Sequence, residues 1–104
     1  MKLVSIDSIP GRKIEAIGIV KGTVVQTKNV GRDIMAGFKT LVGGEIVSYT
    51  QMLNEARQIA TKRMVDEAEE LGADAVVGIR YGSSQIMSSA AEIVAYGTAV
   101  KFLD

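Results

Sequence analysis

The feature that most constrains the fold is one long β-type stretch, residues 14–28, whose two alternating sets of side chains are both apolar. A strand of this kind is covered by other structure on both faces. Gly18 and Gly22 interrupt one of the two sets, which predicts a bulge or the close approach of another backbone. Whatever else the chain forms, the sheet that contains this strand needs two covers.

A single long helix is the clearest candidate for one cover. Ser48 and Gln51 have the spacing of an N-terminal capping box, and Gly72 predicts a left-handed stop. An apolar stripe with helical spacing runs between them, formed by Tyr49, Leu53, Ala56, Ala60, Met64, Ala68 and Leu71. The predicted helix spans about 24 residues, or ~36 Å. Its alanines would let it lie close to the surface on which it packs.

The remaining segments are shorter. We predict strands within residues 2–6, 73–82 and 91–102, with a turn at 83–85. Residues 29–44 are the least clear. The spacing of Ile34, Met35, Phe38, Leu41 and Val42 predicts a short helix that Gly43 and Gly44 end.

This order of elements predicts an α+β fold with one domain over residues 1–104. The two strands that flank the long helix should run parallel, with the last strand between them and antiparallel to both. The result is a split β-α-β-β two-layer sandwich with sheet order 1-3-2 and one long helix on one face.

One helix covers only one face of this sheet, so the second cover has to come from elsewhere. Leaving roughly 600 Å² of apolar surface in water would forgo about 15 kcal/mol. That is comparable with the whole stability of a small domain. The sequence therefore predicts a closed homo-oligomer in which other copies of the chain cover the second face.

The composition excludes several kinds of chemistry. The chain has no Cys and no His, which rules out disulfides, zinc–thiolate sites and the commonest general base. Basic and acidic residues number 12 each, without the dense basic cluster that nucleic-acid binding needs. We find no apolar run of ~20 residues and no signal peptide, so we expect a cytoplasmic protein without a membrane partner.

Five polar residues bracket the middle segment and the start of the helix, and they are the first candidates for a ligand site: Arg32, Asp33, Glu45, Tyr49 and Arg57. Ion-paired scaffolding is the competing interpretation. An acidic cluster near the end of the helix could hold a hard cation or form a solvated face; it comprises Asp66, Glu67, Glu69, Glu70 and Asp74. No spacing singles out a catalytic residue.

Several stretches together resemble one known family. They are Thr-Lys-Asn-Val-Gly-Arg-Asp (27–33), Gly-Gly-Glu (43–45), Tyr49 with Leu53 and Ala56-Arg57, Met64, Leu-Gly-Ala-Asp-Ala-Val-Val-Gly (71–78) and Glu-Ile-Val-Ala-Tyr-Gly-Thr-Ala-Val (92–100). The combination is similar to the YbjQ-like family over the whole chain. That family is uncharacterised and carries a heavy-metal-binding label. The resemblance implies a dodecin-like β-α-β-β subunit in a pentameric ring, with extra short strands that aid assembly.

The leading functional interpretation is a non-enzymatic homo-oligomer that binds a metal ion or small ligand at inter-subunit sites. A metal is the only cofactor that the resemblance suggests, and without Cys or His its ligands would have to be carboxylates, from several subunits. One alternative is an enzyme with a carboxylate or lysine base at an interface. Another is a purely structural assembly module.

Overall fold

The computed structural model describes residues 1–27, 41–42, 45–87 and 90–104. Within these residues the chain forms six strands and one helix. The elements are β1 (Lys2–Leu3), β2 (Ile14–Thr27), β3 (Leu41–Val42), β4 (Glu45–Ile46), α1 (Val47–Glu70), β5 (Ala75–Met87) and β6 (Ala90–Phe102).

The main sheet has the strand order β1-β5-β6-β2. β6 lies between β5 and β2 and is antiparallel to both, so β2 and β5 run parallel to each other across it. This confirms the predicted α+β fold and the predicted order 1-3-2 for the three long strands. β1 adds a short parallel strand at the outer edge of β5, and β3 and β4 pair with each other in a separate two-stranded sheet.

Helix α1 matches the predicted length of 24 residues and begins at Val47, one residue before the predicted N-cap. It ends at a Schellman motif around Gly72, whose φ of 74° is left-handed. There the amide of Ala73 donates to the carbonyl of Ala68 at 3.0 Å, and that of Gly72 donates to the carbonyl of Glu69 at 3.0 Å. No helix in the described ranges is both long and apolar enough to span a membrane.

The main core lies between α1 and the sheet. Ala56, Ala60, Met64 and Ala68 are fully buried, as their place in the predicted stripe requires. They pack on side chains of all three long strands: Val20, Val24, Val76, Ile79, Ile93, Ala95 and Ala99. Leu71, the last predicted member of the stripe, is 47% exposed because the helix has ended before it.

The two glycines of β2 have the two roles that the sequence predicted. A Cβ at Gly22 would overlap the backbone carbonyl oxygen of Ala60, so the helix backbone lies directly against this strand. Close to Gly18, the pairing of β2 with β6 shifts by one residue between Ala16 and Gly18, which is a β-bulge.

The opposite side of the sheet is covered at one end by the chain itself. Ile9, in the segment between β1 and β2, is buried against Ala75, Val77 and Val100. Sequence analysis did not predict this cover, because residues 7–13 include only one large apolar side chain. The second face therefore has a partial cover from the N-terminal segment.

Asp104 fixes this segment to the end of β6. The Arg12 Nε donates to Asp104 Oδ1 at 2.9 Å, and the Lys13 amide donates to Asp104 Oδ2 at 3.1 Å. The Arg12 guanidinium also stacks 3.8 Å above the centre of the Phe102 ring. The hydrogen bond from Arg12, followed by that from the Lys13 amide, holds the pKa of the Asp104 carboxyl below its ordinary value.

Two local predictions are wrong. The predicted turn at residues 83–85 is the continuation of β5, in which Gly82 pairs with Val94 and Gln85 with Ala91. The predicted helix over 34–42 fails at its end, because Leu41 and Val42 form a strand that pairs with β4. The rest of that segment, with the glycines at 43 and 44, lies outside the described residues.

Candidate functional site

Among the residues that the structure describes, the side of the sheet opposite α1 is largely uncovered beyond the N-terminal segment. We call this surface the open face and define it by Ile19, Lys21, Val25, Arg80 and Tyr96. Strand alternation and pairing place these residues together: Lys21 pairs with Tyr96, and Tyr96 with Arg80, across β2, β6 and β5. Ile19 is 80% exposed, Val25 50% and Tyr96 43%. Exposed contiguous apolar surface is typical of an interaction site.

The outer edge of β2 is protected by side chains of the helix. Glu67 Oε1 accepts a hydrogen bond from the Lys21 amide at 3.3 Å. Arg63 donates one to the carbonyl oxygen of Thr23. These are edge groups of β2, and their occupation hinders pairing with another strand.

In the described ranges, the outer edge of β5 is protected only at its start. β1 pairs with Ala75 and Val76, and the next amides, those of Gly78 and Ile79, donate to carbonyls of the N-terminal segment. Residues 81–87 follow as an edge that pairs with no strand in the part of the chain that the structure describes. This stretch contains no charged residue and no proline, the two common protections of a free edge.

An open groove of 550 Å³ lies on the helix side of the sheet, between α1 and β5. It exists because α1 lies mainly over β2 and β6 and, of the three long strands, contacts β5 least. We call it the α1–β5 groove; it is lined by Arg57, Gln58, Thr61, Lys62, Val65 and Tyr81.

Hydrogen bonds hold the groove walls in place. The Thr61 hydroxyl donates to the Arg57 carbonyl at 2.7 Å and lies 2.8 Å from the Tyr81 hydroxyl. Since the single Thr61 proton is used, the Tyr81 hydroxyl must donate to Thr61. Lys62 pairs with Asp66 at 3.0 Å, and Arg57 donates to the side-chain oxygen of Asn54 at 2.9 Å.

The predicted ligand residues are divided between described and undescribed parts of the chain. Arg32 and Asp33 lie outside the described residues. Glu45 belongs to β4 and Tyr49 to the first turn of α1, and nothing is described of their side chains. Only Arg57 is placed in full, on the wall of the α1–β5 groove.

The other groove residues were not among the predicted ligand residues. Thr61 and Val65 follow Arg57 at intervals of four, so helical spacing places all three on the same side of α1. That signal was available in the sequence. The contribution of Tyr81 was not, because it depends on how far β5 lies from the helix.

Three of the five members of the acidic cluster at the end of the helix have structural partners. Asp66 binds Lys62, and Glu67 accepts from the Lys21 amide. Asp74 accepts from the Phe102 amide at 2.8 Å. Across the described ranges, no group of three or more carboxylates is placed to hold a metal ion.

Comparison with known proteins identifies relatives of the whole chain. Residues 1–103 match the YbjQ_1 family model, described as "Putative heavy-metal-binding". A UPF0145 protein of Clostridium novyi is 60% identical over 103 residues, 99% of this chain and 100% of the relative. A UPF0145 protein of Thermotoga maritima is 61% identical over 102 residues, 97% of this chain and 96% of the relative.

A solved structure shares the fold at much lower identity. It is a Pediococcus pentosaceus protein of unknown function from the DUF74 family, 13% identical, with a TM-score of 0.68. The match covers 98% of this chain and 97% of that one. None of these names describes a catalytic activity. On the family model and the close relatives, the chain belongs to the YbjQ family of UPF0145 proteins.

Proposed function

We propose that this chain is a non-catalytic binding protein that works in the cytoplasm as a homo-oligomer and holds a small ligand where copies meet. The observation that carries the proposal is the open face, on which Ile19 is 80% exposed beside Tyr96. A second copy is the simplest cover for such a surface, because it supplies its own apolar groups.

The shape of the chain favours the same conclusion. Its radius of gyration is 16.7 Å, against ~13 Å for a compact chain of this length. Its accessible surface of 6694 Å² exceeds the roughly 5,700 Å² of a typical monomer of this mass. An elongated subunit with a surplus of surface gains more from association than a compact one. The resemblance to YbjQ-like rings leads us to propose a pentamer.

A soft heavy metal fits the donor atoms of this chain poorly. Such metals prefer thiolate and imidazole ligands, and none of the 104 residues is Cys or His. Apart from the thioethers of its five Met, only carboxylates remain as ligands for a metal, and they would have to come from several subunits. We therefore propose a small organic molecule as the ligand. Elemental analysis of chelator-free protein should give under ~0.1 metal per subunit, with no thermal shift on adding divalent ions.

Native mass spectrometry at micromolar concentration tests the assembly. We expect one closed species whose mass is a multiple of 11.1 kDa. Ile19→Asp should give monomers, because a charge in the centre of an apolar contact is strongly unfavourable. Leu103→Asp is the matched control, since Leu103 is 60% exposed but lies beyond the end of β6. A wild-type chain that remains monomeric would refute the proposal.

A further inference from the structure

We infer that the α1–β5 groove binds an amphipathic organic anion, a flat apolar molecule that carries one carboxylate or sulfonate. The inference goes beyond the proposed function, because this groove lies within one chain and not where copies meet at the open face. Self-association through the open face involves the other side of the sheet and is tested separately.

The size and lining of the groove fit a small molecule. Small-ligand sites occupy about 300–1,000 Å³ and are mostly apolar with a few polar groups. The α1–β5 groove measures 550 Å³. Val65 and the half-exposed ring of Tyr81 supply apolar surface, and the methylene stems of Arg57 and Lys62 extend it.

The charge of the groove determines the sign of the ligand. Two cations line it, and Asp66 compensates one of them by its ion pair with Lys62. The other, Arg57, donates to the neutral side-chain amide of Asn54. No described carboxylate lies within ion-pair distance of Arg57. Within the described part of the chain, the groove therefore keeps one guanidinium charge, a group that binds carboxylates and sulfonates through paired N–H donors.

The apolar surface of the groove is already oriented for a flat ligand. The Tyr81 hydroxyl donates to Thr61, which in turn donates to the Arg57 backbone. This chain of hydrogen bonds fixes the Tyr81 ring relative to the helix turn that carries Arg57. A flat ligand that lies against the ring meets the guanidinium without a further ordering cost.

Fluorescence titration with 8-anilinonaphthalene-1-sulfonate tests the site, because this probe joins flat apolar rings to one sulfonate. We expect saturable binding of one probe per chain. Arg57→Gln should weaken binding about 10-fold, the loss expected for a charge-assisted hydrogen bond. Val65→Asp should remove it. Lys101→Gln, the control, removes one positive charge from β6 outside the groove and should leave the affinity within about 2-fold.

Two further measurements distinguish the groove from the open face. The neutral probe 1-anilinonaphthalene should bind equally to wild type and Arg57→Gln, since it lacks the sulfonate. Amide shifts in NMR spectra should appear at residues 57–65 and 81, and not at 19–25 and 94–98. Shifts confined to the open face, or equal effects of Arg57→Gln and Lys101→Gln, would overturn the inference.

Native mass spectrometry of the same variants separates the two proposals. Arg57→Gln should keep the wild-type assembly while it loses the probe. If the wild-type assembly excludes the probe and the Ile19→Asp monomer accepts it, the groove is a contact between copies and the inference is wrong. A monomeric wild type that binds the probe in the groove would refute only the assembly.

Discussion

Both sides of the sheet carry apolar side chains, but those on one side are buried and those on the other are exposed to solvent. Val20 is fully buried beneath α1, whereas its neighbour Ile19 is 80% exposed on the open face. The same contrast occurs on β6, where Ala95 is buried and Tyr96 is 43% exposed. The residue types do not explain this difference. Burial in this sheet is decided by which side has a cover, and α1 covers only one.

The sharpest test of this comparison is a pair of substitutions on the two sides. Met64→Ala should destabilise the chain by about 2–5 kcal/mol, because it opens a cavity beneath the helix. Ile19→Thr should change the stability of the isolated chain by only about 0.5 kcal/mol, because the side chain is already in water. Urea unfolding at low protein concentration measures both.

The same pair also detects self-association. If copies cover the open face, the loss of unfolding free energy caused by Ile19→Thr should grow with protein concentration. At low concentration, the loss caused by Met64→Ala should be the larger of the two. Equal effects of the two substitutions at every concentration would contradict the distinction between the sides.

A second pair of substitutions tests how closely α1 lies against the sheet. Gly22→Ala should cost about 1–3 kcal/mol, because its Cβ has to displace the helix backbone at Ala60. Gly18→Ala is the matched control on the same strand, where nothing lies within 4 Å of the added Cβ. It should be neutral or stabilise by about 0.4–1 kcal/mol. Thermal unfolding distinguishes them, and equal losses would mean that α1 is not in contact at Gly22.

The smallest expected effect on stability concerns the segment between β1 and β2, which partly covers the side of the sheet opposite α1. Asp104→Asn should lower the melting temperature slightly near neutral pH, because the side-chain ion pair with Arg12 is lost. The pKa of the Asp104 carboxyl is lower in the folded chain than in the unfolded chain. Its contribution to stability is therefore complete above the ordinary Asp pKa of about 3.9, and it disappears as the pH falls through the folded-state pKa. Melting curves of both proteins should therefore converge in acid. A difference that persists at pH 2 would contradict this origin.

Local signals in the sequence were sufficient to predict the helix and β2. The helix followed from its apolar stripe and from Gly72, and β2 followed from its alternation of β-branched residues. Each of these signals is local and independent of distant partners. The strand order followed from them, because connection rules leave few alternatives for one helix between two parallel strands.

The sequence predictions failed where residues distant in the chain determine the local structure. Ser83 and Gln85 resemble a turn in isolation, yet both continue β5 because Ile93 and Ala91 of β6 pair with them. The α1–β5 groove could not be predicted from the sequence either, because its existence depends on where the helix lies across the strands of the sheet. Arg57 lines that groove, and it is the one candidate ligand residue whose side chain is described.

The difference between the two sheet edges limits how strands can be added to this molecule. A strand that approaches β2 has to displace Glu67 and Arg63 from the backbone groups they occupy. One that approaches β5 beyond residue 80 meets no such side chain in the described structure. Fibrillar growth needs receptive edges at both ends of every unit. With the β2 edge occupied, strand pairing at the free part of β5 can join two copies of the main sheet but cannot continue beyond that pair.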